Sequence, residues 1–302
     1  MLKRLWICLV LLSLILLGAP NSPFAKDAAK VKLKTGIILA AFGTSVPEAK
    51  VDLERVVQAF HKQFPDTPIL LTYTSQIIRK KLAKQGEHIL SIAECLDKLA
   101  KEKVRLVRIQ PLHVLAGEEY TELERAVLLG LAKHKQDFKA VYLGRPLLED
   151  LADATTLAKG LVNSSAKLRT GGQALVLMGH GQEHGRAGLA FEGVRAVFTS
   201  VDPNIYLATV EGQRDFAALL ADLQAKNVQK VLLRPLMVVA GDHARNDLAG
   251  SDDDSWASKL RQNGLEVSVH LEGLGSLPEV ANLYIKHALE SQDDLMLEPK
   301  KP

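Results

Sequence analysis

The chain has 302 residues, 47% of them hydrophobic and 24% charged, with a formal net charge of +3. This composition builds a packed globular core and excludes fibrous, collagen-like and disordered classes. The near-neutral balance gives no electrostatic reason to expect nucleic acid as a partner.

Lys3 and Arg4 precede the apolar run ICLVLLSLILLGA (7–19), which is shorter than the roughly 20 residues a spanning helix needs. Residues 1–25 are expected to be an export signal peptide, cleaved after Ala25 or retained as an anchor, and the rest of the chain to be periplasmic. Cleavage removes Lys3, Arg4 and no acid, which leaves a charge of +1. It also removes Cys8, so Cys95 stands alone and no internal disulfide forms. The helical pattern SIAECLDKLA (91–100) around it predicts a buried, inert thiol.

From residue 35, strand-like runs alternate with helix-like ones. TGIILAAFGTS (35–45) leads into VPEAKVDLERVVQAFHKQF (46–64), whose apolar spacing of three and four is that of a helix. PDTPILLTYTSQ (65–76), ECLDKLAKEK (94–103), RIQPLHVLAGEEYTEL (108–123) and AVYLGRPLLED (140–150) follow. A polar, Gly-containing stretch, LVNSSAKLRTGG (161–172), then separates these from a second series in the same order. QALVLMGHGQE (173–183) parallels the first run, DPNIYLATVEGQ (202–213) the second, LLRPLMVVAGDHARNDL (232–248) the third, and VSVHLEGLGSLPEV (267–280) the fourth.

Alternation of strands and helices implies parallel sheets flanked by helices. The expected fold is α/β, with two similar doubly wound domains, each a four-stranded parallel sheet, related by internal duplication. Their expected bounds are 30–162 and 172–295, and the last helix, LPEVANLYIKHALE (277–290), is placed to cross back onto the first half.

Ligands of such sheets bind beyond the carboxyl ends of the strands. Positions where the two copies differ at those ends are therefore candidates for chemistry. Phe42 aligns with His180, Ser75 with Glu211, and Glu119 with His243. Two imidazoles and a carboxylate suit a borderline divalent cation such as Co²⁺, Fe²⁺, Ni²⁺ or Zn²⁺, and leave coordination positions open. Gly179 and Gly181 make His180 accessible, and Asp242 is placed to orient His243 or a metal-bound water. A lone histidine at a glycine turn is more often structural; the convergence of three chelating groups on one sheet edge carries the metal reading.

His184 is expected to border the cleft. His113 occupies a strand end of the first half, where Met237 is its counterpart, and either faces the cleft, binds a second ligand or packs in the core. Glu118 and Glu119 are candidate acidic relays or stabilise a helix start. His61, His88, His134, His270 and His287 are expected in surface or packing roles.

LVLMGHG (175–181), ATVEG (208–212) and above all RPLMVVAGDHARNDLAGSDDDSW (234–256) resemble the anaerobic cobalt chelatases of the CbiK type, members of the class II chelatases. FGTS (42–45) and PLHVLAGEEY (111–120) match that family too. The resemblance implies insertion of Co²⁺, with Fe²⁺ or Ni²⁺ as alternatives, into sirohydrochlorin without ATP. It implies metal ligands His180, Glu211 and His243, with the two histidines catalytic. It also places Gly43, Thr44, Ser45, His113 and Glu119 against the tetrapyrrole, with Arg79 as a further carboxylate partner or a solvated cation. An exported member points to iron or haem handling, with haem held at a subunit contact by His113 or His134, and a homo-oligomer is compatible with that arrangement. The rival expectation is an exported two-lobed receptor that binds metal or tetrapyrrole and inserts nothing. A phosphohistidine site at the GHG turn is the weakest reading, since no Arg-His-Gly motif accompanies it.

Overall fold

The computed structural model describes residues 33–183, 185 and 187–297; the expected export segment 1–25 and His184 lie outside them. The described residues belong to one compact unit. None of its helices is long and apolar enough to cross a membrane.

Two all-parallel sheets organise the chain. The first is built from β1 (Thr35–Ala41), β2 (Ile69–Tyr73), β3 (Leu106–Pro111) and β4 (Ala140–Leu143), in the order β2-β1-β3-β4. The second is built from β5 (Ala174–Gly181), β6 (Ile205–Glu211), β7 (Lys230–Pro235) and β8 (Glu266–Val269), in the equivalent order β6-β5-β7-β8. The central strands are nearly uniform apolar runs because helices cover both faces of each sheet. Ile37, Ile38, Leu39 and Ala40 in β1, and residues 174–178 in β5, are fully buried. The duplicated runs of the sequence are these eight strands.

The helices complete the layers. α1 (Pro47–Gln63) follows β1, with Pro47 in its first turn, where a missing N–H removes nothing. α2 (Gln76–Lys84) and α3 (Ile92–Lys101) both lie between β2 and β3, and a reciprocal capping box of Ser91 and Glu94 starts α3. α4 (Glu118–Leu131) joins β3 to β4, and α5 (Leu151–Ser165) leaves the first half. In the second half α6 (Ala187–Val201) and α7 (Phe216–Ala225) flank β6. A π-helical turn (Ala244–Leu248) and α8 (Trp256–Gln262) then replace α4, and α9 (Pro278–Glu290) closes the chain. The halves thus share their strands and diverge in their connections.

The last helix of each half packs on the other half. Arg108 of β3 donates to the Ala288 carbonyl of α9 at 2.7 Å, and Tyr284 of α9 donates to the His113 carbonyl at 3.2 Å. Reciprocally, the buried Arg234 of β7 donates to the hydroxyls of Ser164 and Ser165 at the end of α5, at 2.8 and 2.9 Å. The central core therefore mixes Leu39 and Leu53 of the first half with Leu177, Phe198 and Leu232 of the second, while each half keeps a separate outer core. The expected crossing of the last helix is present and has a counterpart in α5.

Candidate functional site

The carboxyl ends of β1, β3, β5, β6 and β7 open into one cleft of about 720 Å³ between the lobes. That volume lies within the range of small-molecule sites. Phe42, Gly43, Thr44, His113 and Glu119 line it from the first half; His180, Glu211 and His243 line it from the second. Ile77 and Leu189 line it too, at 80% and 84% exposure, so aliphatic side chains from both lobes stand in solvent at its mouth.

Glycine geometry explains the GHG turn. Gly181 pairs with Glu211 in the β5–β6 ladder and has φ of +79°. A Cβ there would lie 2.0 Å from the Glu211 carbonyl oxygen, so both the backbone conformation and the space demand glycine. This turn presents His180 at the sheet edge, where its ring meets that of His243 edge to face, with centroids 4.7 Å apart and planes at 86°.

Each ring has one nitrogen engaged. His180 Nδ1 lies 3.0 Å from the Gly181 carbonyl, which makes it the donor, and His243 Nδ1 lies 2.6 Å from Asp247 Oδ2. Among the described residues neither Nε2 has a hydrogen-bond partner, and both residues line the cleft, an arrangement in which an outer partner can fix the tautomer of a metal-binding imidazole. The carboxylate that orients His243 is thus Asp247, four residues on across the π-helical turn, and not Asp242, which is solvent-exposed on the cleft wall. An His-x-x-x-Asp spacing on a helical turn was the available signal for it.

Glu211 lies on the adjacent strand and points into solvent at the cleft edge. Among the described residues no three His, Cys, Asp or Glu side chains stand gathered at metal-binding spacing. The two imidazoles are assembled; the expected three-donor set with Glu211 is not. Beside it, Glu211, Glu118, Glu183 and Gln182 line a smaller acidic recess of about 360 Å³.

In the first half the equivalent positions have other duties. Phe42 takes the place of His180 and presents an aromatic side chain to the cleft. Ser75, at the place of Glu211, caps α2 by accepting from Ile78 N. Gly43, with φ of +100°, packs against Tyr73, where a Cβ would meet the ring at 2.4 Å. The Thr44 hydroxyl accepts from Val46 N at 3.1 Å. Ser45 is half-buried and is not part of the cleft wall, unlike Gly43 and Thr44. Arg79 donates to the carbonyls of Tyr73 and Thr74, so it closes the end of β2 instead of standing as a free cation.

His113 is 8% exposed in the cleft wall, and neither ring nitrogen has a hydrogen-bond partner among the described residues. Burial pushes its pKa down to about 4, so the ring is neutral at ordinary pH. His134 has no such freedom: its two nitrogens bond Asp137 at 2.8 Å and Asp97 at 2.9 Å, which leaves none for a haem iron. His287 is buried with Nε2 2.7 Å from Asp153 Oδ2, a packing role. Cys95 is fully buried and its pKa is pushed up to about 12 by burial, the inert thiol expected.

Two paired parallel sheets with a cleft at their carboxyl edges are the architecture of class II chelatases. SirB from Bacillus subtilis, solved with Fe³⁺, superposes with a TM-score of 0.63 at 11% identity, over 85% of this chain and 95% of that one. The chain belongs to the CbiK cobalt chelatase family, whose model matches residues 35–293. Sirohydrochlorin cobaltochelatase CbiKC of Nitratidesulfovibrio vulgaris is 33% identical over 264 residues, 86% of this chain and 93% of the relative. The sirohydrochlorin cobaltochelatase of Salmonella typhimurium is 32% identical over 260 residues, 84% of this chain and 95% of the relative.

Proposed function

We propose that the protein inserts Co²⁺ into sirohydrochlorin, a metal-insertion step on the way to the corrin ring. The observation that carries this reading is the meeting of His180 and His243 on the wall of a cleft that both lobes line. A cation delivered to a macrocycle must exchange its ligands for four ring nitrogens. Two imidazoles and one exposed carboxylate hold it with coordination positions open, which favours exchange over retention.

Each lobe has its own part. Glu211, exposed at the sheet edge beside the acidic recess, brings the cation to the imidazole pair. Phe42, Ile77 and Leu189 supply apolar contact for the faces of the ring, and the backbone at Gly43 and Thr44 lies where the ring's carboxylates reach a helix start. Two pyrrole protons must leave as the metal enters. His113, on the first-half wall with neither nitrogen partnered among the described residues, accepts a hydrogen bond from the ring while its neutrality keeps positive charge away from the incoming cation. The two protons leave to solvent, one by way of the Glu119 carboxylate at the same wall and the other directly from the open cleft. Fe²⁺ and Ni²⁺ accept the same donors and are second-choice metals. The expected export segment makes a periplasmic site of action part of the proposal.

The test is to mix the purified protein with sirohydrochlorin and Co²⁺ and follow the absorption spectrum. Acceleration over the protein-free reaction, with turnover beyond one equivalent, is the expected result. Tight binding without acceleration would instead identify a carrier.

A further inference from the structure

Asp52 is a carboxylate buried in the joint between the lobes, 5% exposed on the inner face of α1. Among the described residues no cation forms an ion pair with it. Its Oδ2 accepts two backbone N–H bonds from the second half, Ala240 N at 3.2 Å and Gly273 N at 2.9 Å. Ala240 is also held at its carbonyl, where Arg245 Nε donates at 3.2 Å. Ala240 opens the loop Ala240-Gly241-Asp242-His243, and Arg245 N bonds the Gly241 carbonyl at 3.0 Å to start the turn that carries His243.

The packing around this contact leaves little slack. A Cβ on Gly273 would lie 2.5 Å from Asp52 Oδ2 and 2.4 Å from the Val238 carbonyl, and one on Gly275 would lie 2.4 Å from the Asp52 carbonyl. Glycines at both positions let the loops after β7 and β8 close on α1. Internal duplication sharpens the point. With Phe42 aligned to His180, Asp52 falls on Ala190 of α6, and Leu53, Val56 and Phe60 fall on the buried Phe191, Val194 and Phe198. Ala190 is exposed. The carboxylate is thus present only in the helix that touches the histidine-bearing loop. Burying it costs desolvation energy, which raises its pKa, so packing alone would favour an apolar residue there.

We infer that Asp52 is a positioning residue: from the opposite lobe it fixes the Ala240–His243 loop, and so sets His243 against His180. This rests on the metal-site reading proposed above. It makes the imidazole pair a property of the lobe joint, not of the second half alone.

The test measures Co²⁺ affinity of the purified full chain by calorimetric titration, without tetrapyrrole, for Asp52→Ala, Asp52→Asn, Asp52→Glu, His243→Ala and the Asp52→Ala/His243→Ala pair. Asn keeps one oxygen that can accept both N–H bonds, so its affinity should stay within about threefold of the parent. Ala, which removes the acceptor, and Glu, which displaces it by one methylene, should each weaken Co²⁺ by about tenfold or more. In the His243→Ala background, Asp52→Ala should add less than about twofold, because its effect runs through that ring. If the Ala variant does not fold, the contrast between Asn and Glu decides. Parent-like Co²⁺ binding by Ala or Glu, with His243→Ala impaired, overturns the positioning role and leaves the metal site standing. An undiminished Asp52 effect without His243 also overturns it. Parent-like binding by His243→Ala removes the metal reading itself.

Discussion

His180 and His243 meet edge to face, with ring centroids 4.7 Å apart, although they come from the ends of different strands. Neither strand end alone would hold a cation. Replacing either residue by Ala should lower the rate of Co²⁺ insertion by at least about 100-fold, since the loss of an outer partner alone already costs 10–100-fold. Far-ultraviolet circular dichroism should be unchanged. Near-parent turnover in either variant would remove that residue from the chemistry.

Asp247→Asn should have the smaller effect. It keeps an oxygen near His243 Nδ1 and loses the charge that stabilises the oriented ring, whose contact is 2.6 Å. Co²⁺ affinity should fall by roughly tenfold, and Asp247→Ala by more. Asp242→Ala, with no such bond to the ring, should stay near the parent value; an effect as large as that of Asp247→Ala would reverse the assignment.

The buried His113 predicts a pH dependence. In the unfolded chain it titrates near 6.5, and in the folded one burial pushes it down to about 4. Between these values the unfolded state binds the extra proton. The residue's contribution is therefore fully present above about pH 6.5 and is lost as pH falls toward 4, by up to about 3 kcal/mol. Urea denaturation of the parent and His113→Leu at about pH 7 and about pH 4.5 should show the variant gaining relative to the parent at the lower pH. A constant difference would mean that the folded ring is not held neutral.

Gly181→Ala should destabilise the fold as well as the site. It places a side chain at φ of +79°, with its Cβ 2.0 Å from the Glu211 carbonyl. The cost should be about 1–3 kcal/mol, or several degrees in melting temperature. Gly188→Ala, in helix α6 with open space at its Cβ, is the control and should melt at or slightly above the parent temperature.

The strands and the histidine pair are legible in the sequence because the chain carries its own comparison. Apolar runs repeat in the same order, and the residues that break the repeat at strand ends, His180, Glu211 and His243, are those the cleft collects. Asp247 is harder to see because the helical turn that brings it to His243 is π-helical and short. Asp52 is invisible to periodicity, since its partners Ala240 and Gly273 are 188 and 221 residues away and are backbone groups, which no side-chain pattern marks. Ser45 is misplaced by treating FGTS as one unit, when the chain turns away from the cleft after Thr44. Arg79 is misread because helical spacing says nothing of the strand-end carbonyls it satisfies.

The crossing of α5 and α9 bears on how substrate comes and goes. Each lobe is strapped to the other by the helix that ends its own half, through Arg108 to Ala288 and Arg234 to Ser164 and Ser165. Swinging the lobes apart would break both straps and the central core they share. The expected way in for a flat ligand is therefore past Ile77 and Leu189 at the mouth of the cleft, by rotation of those side chains with the lobes kept together.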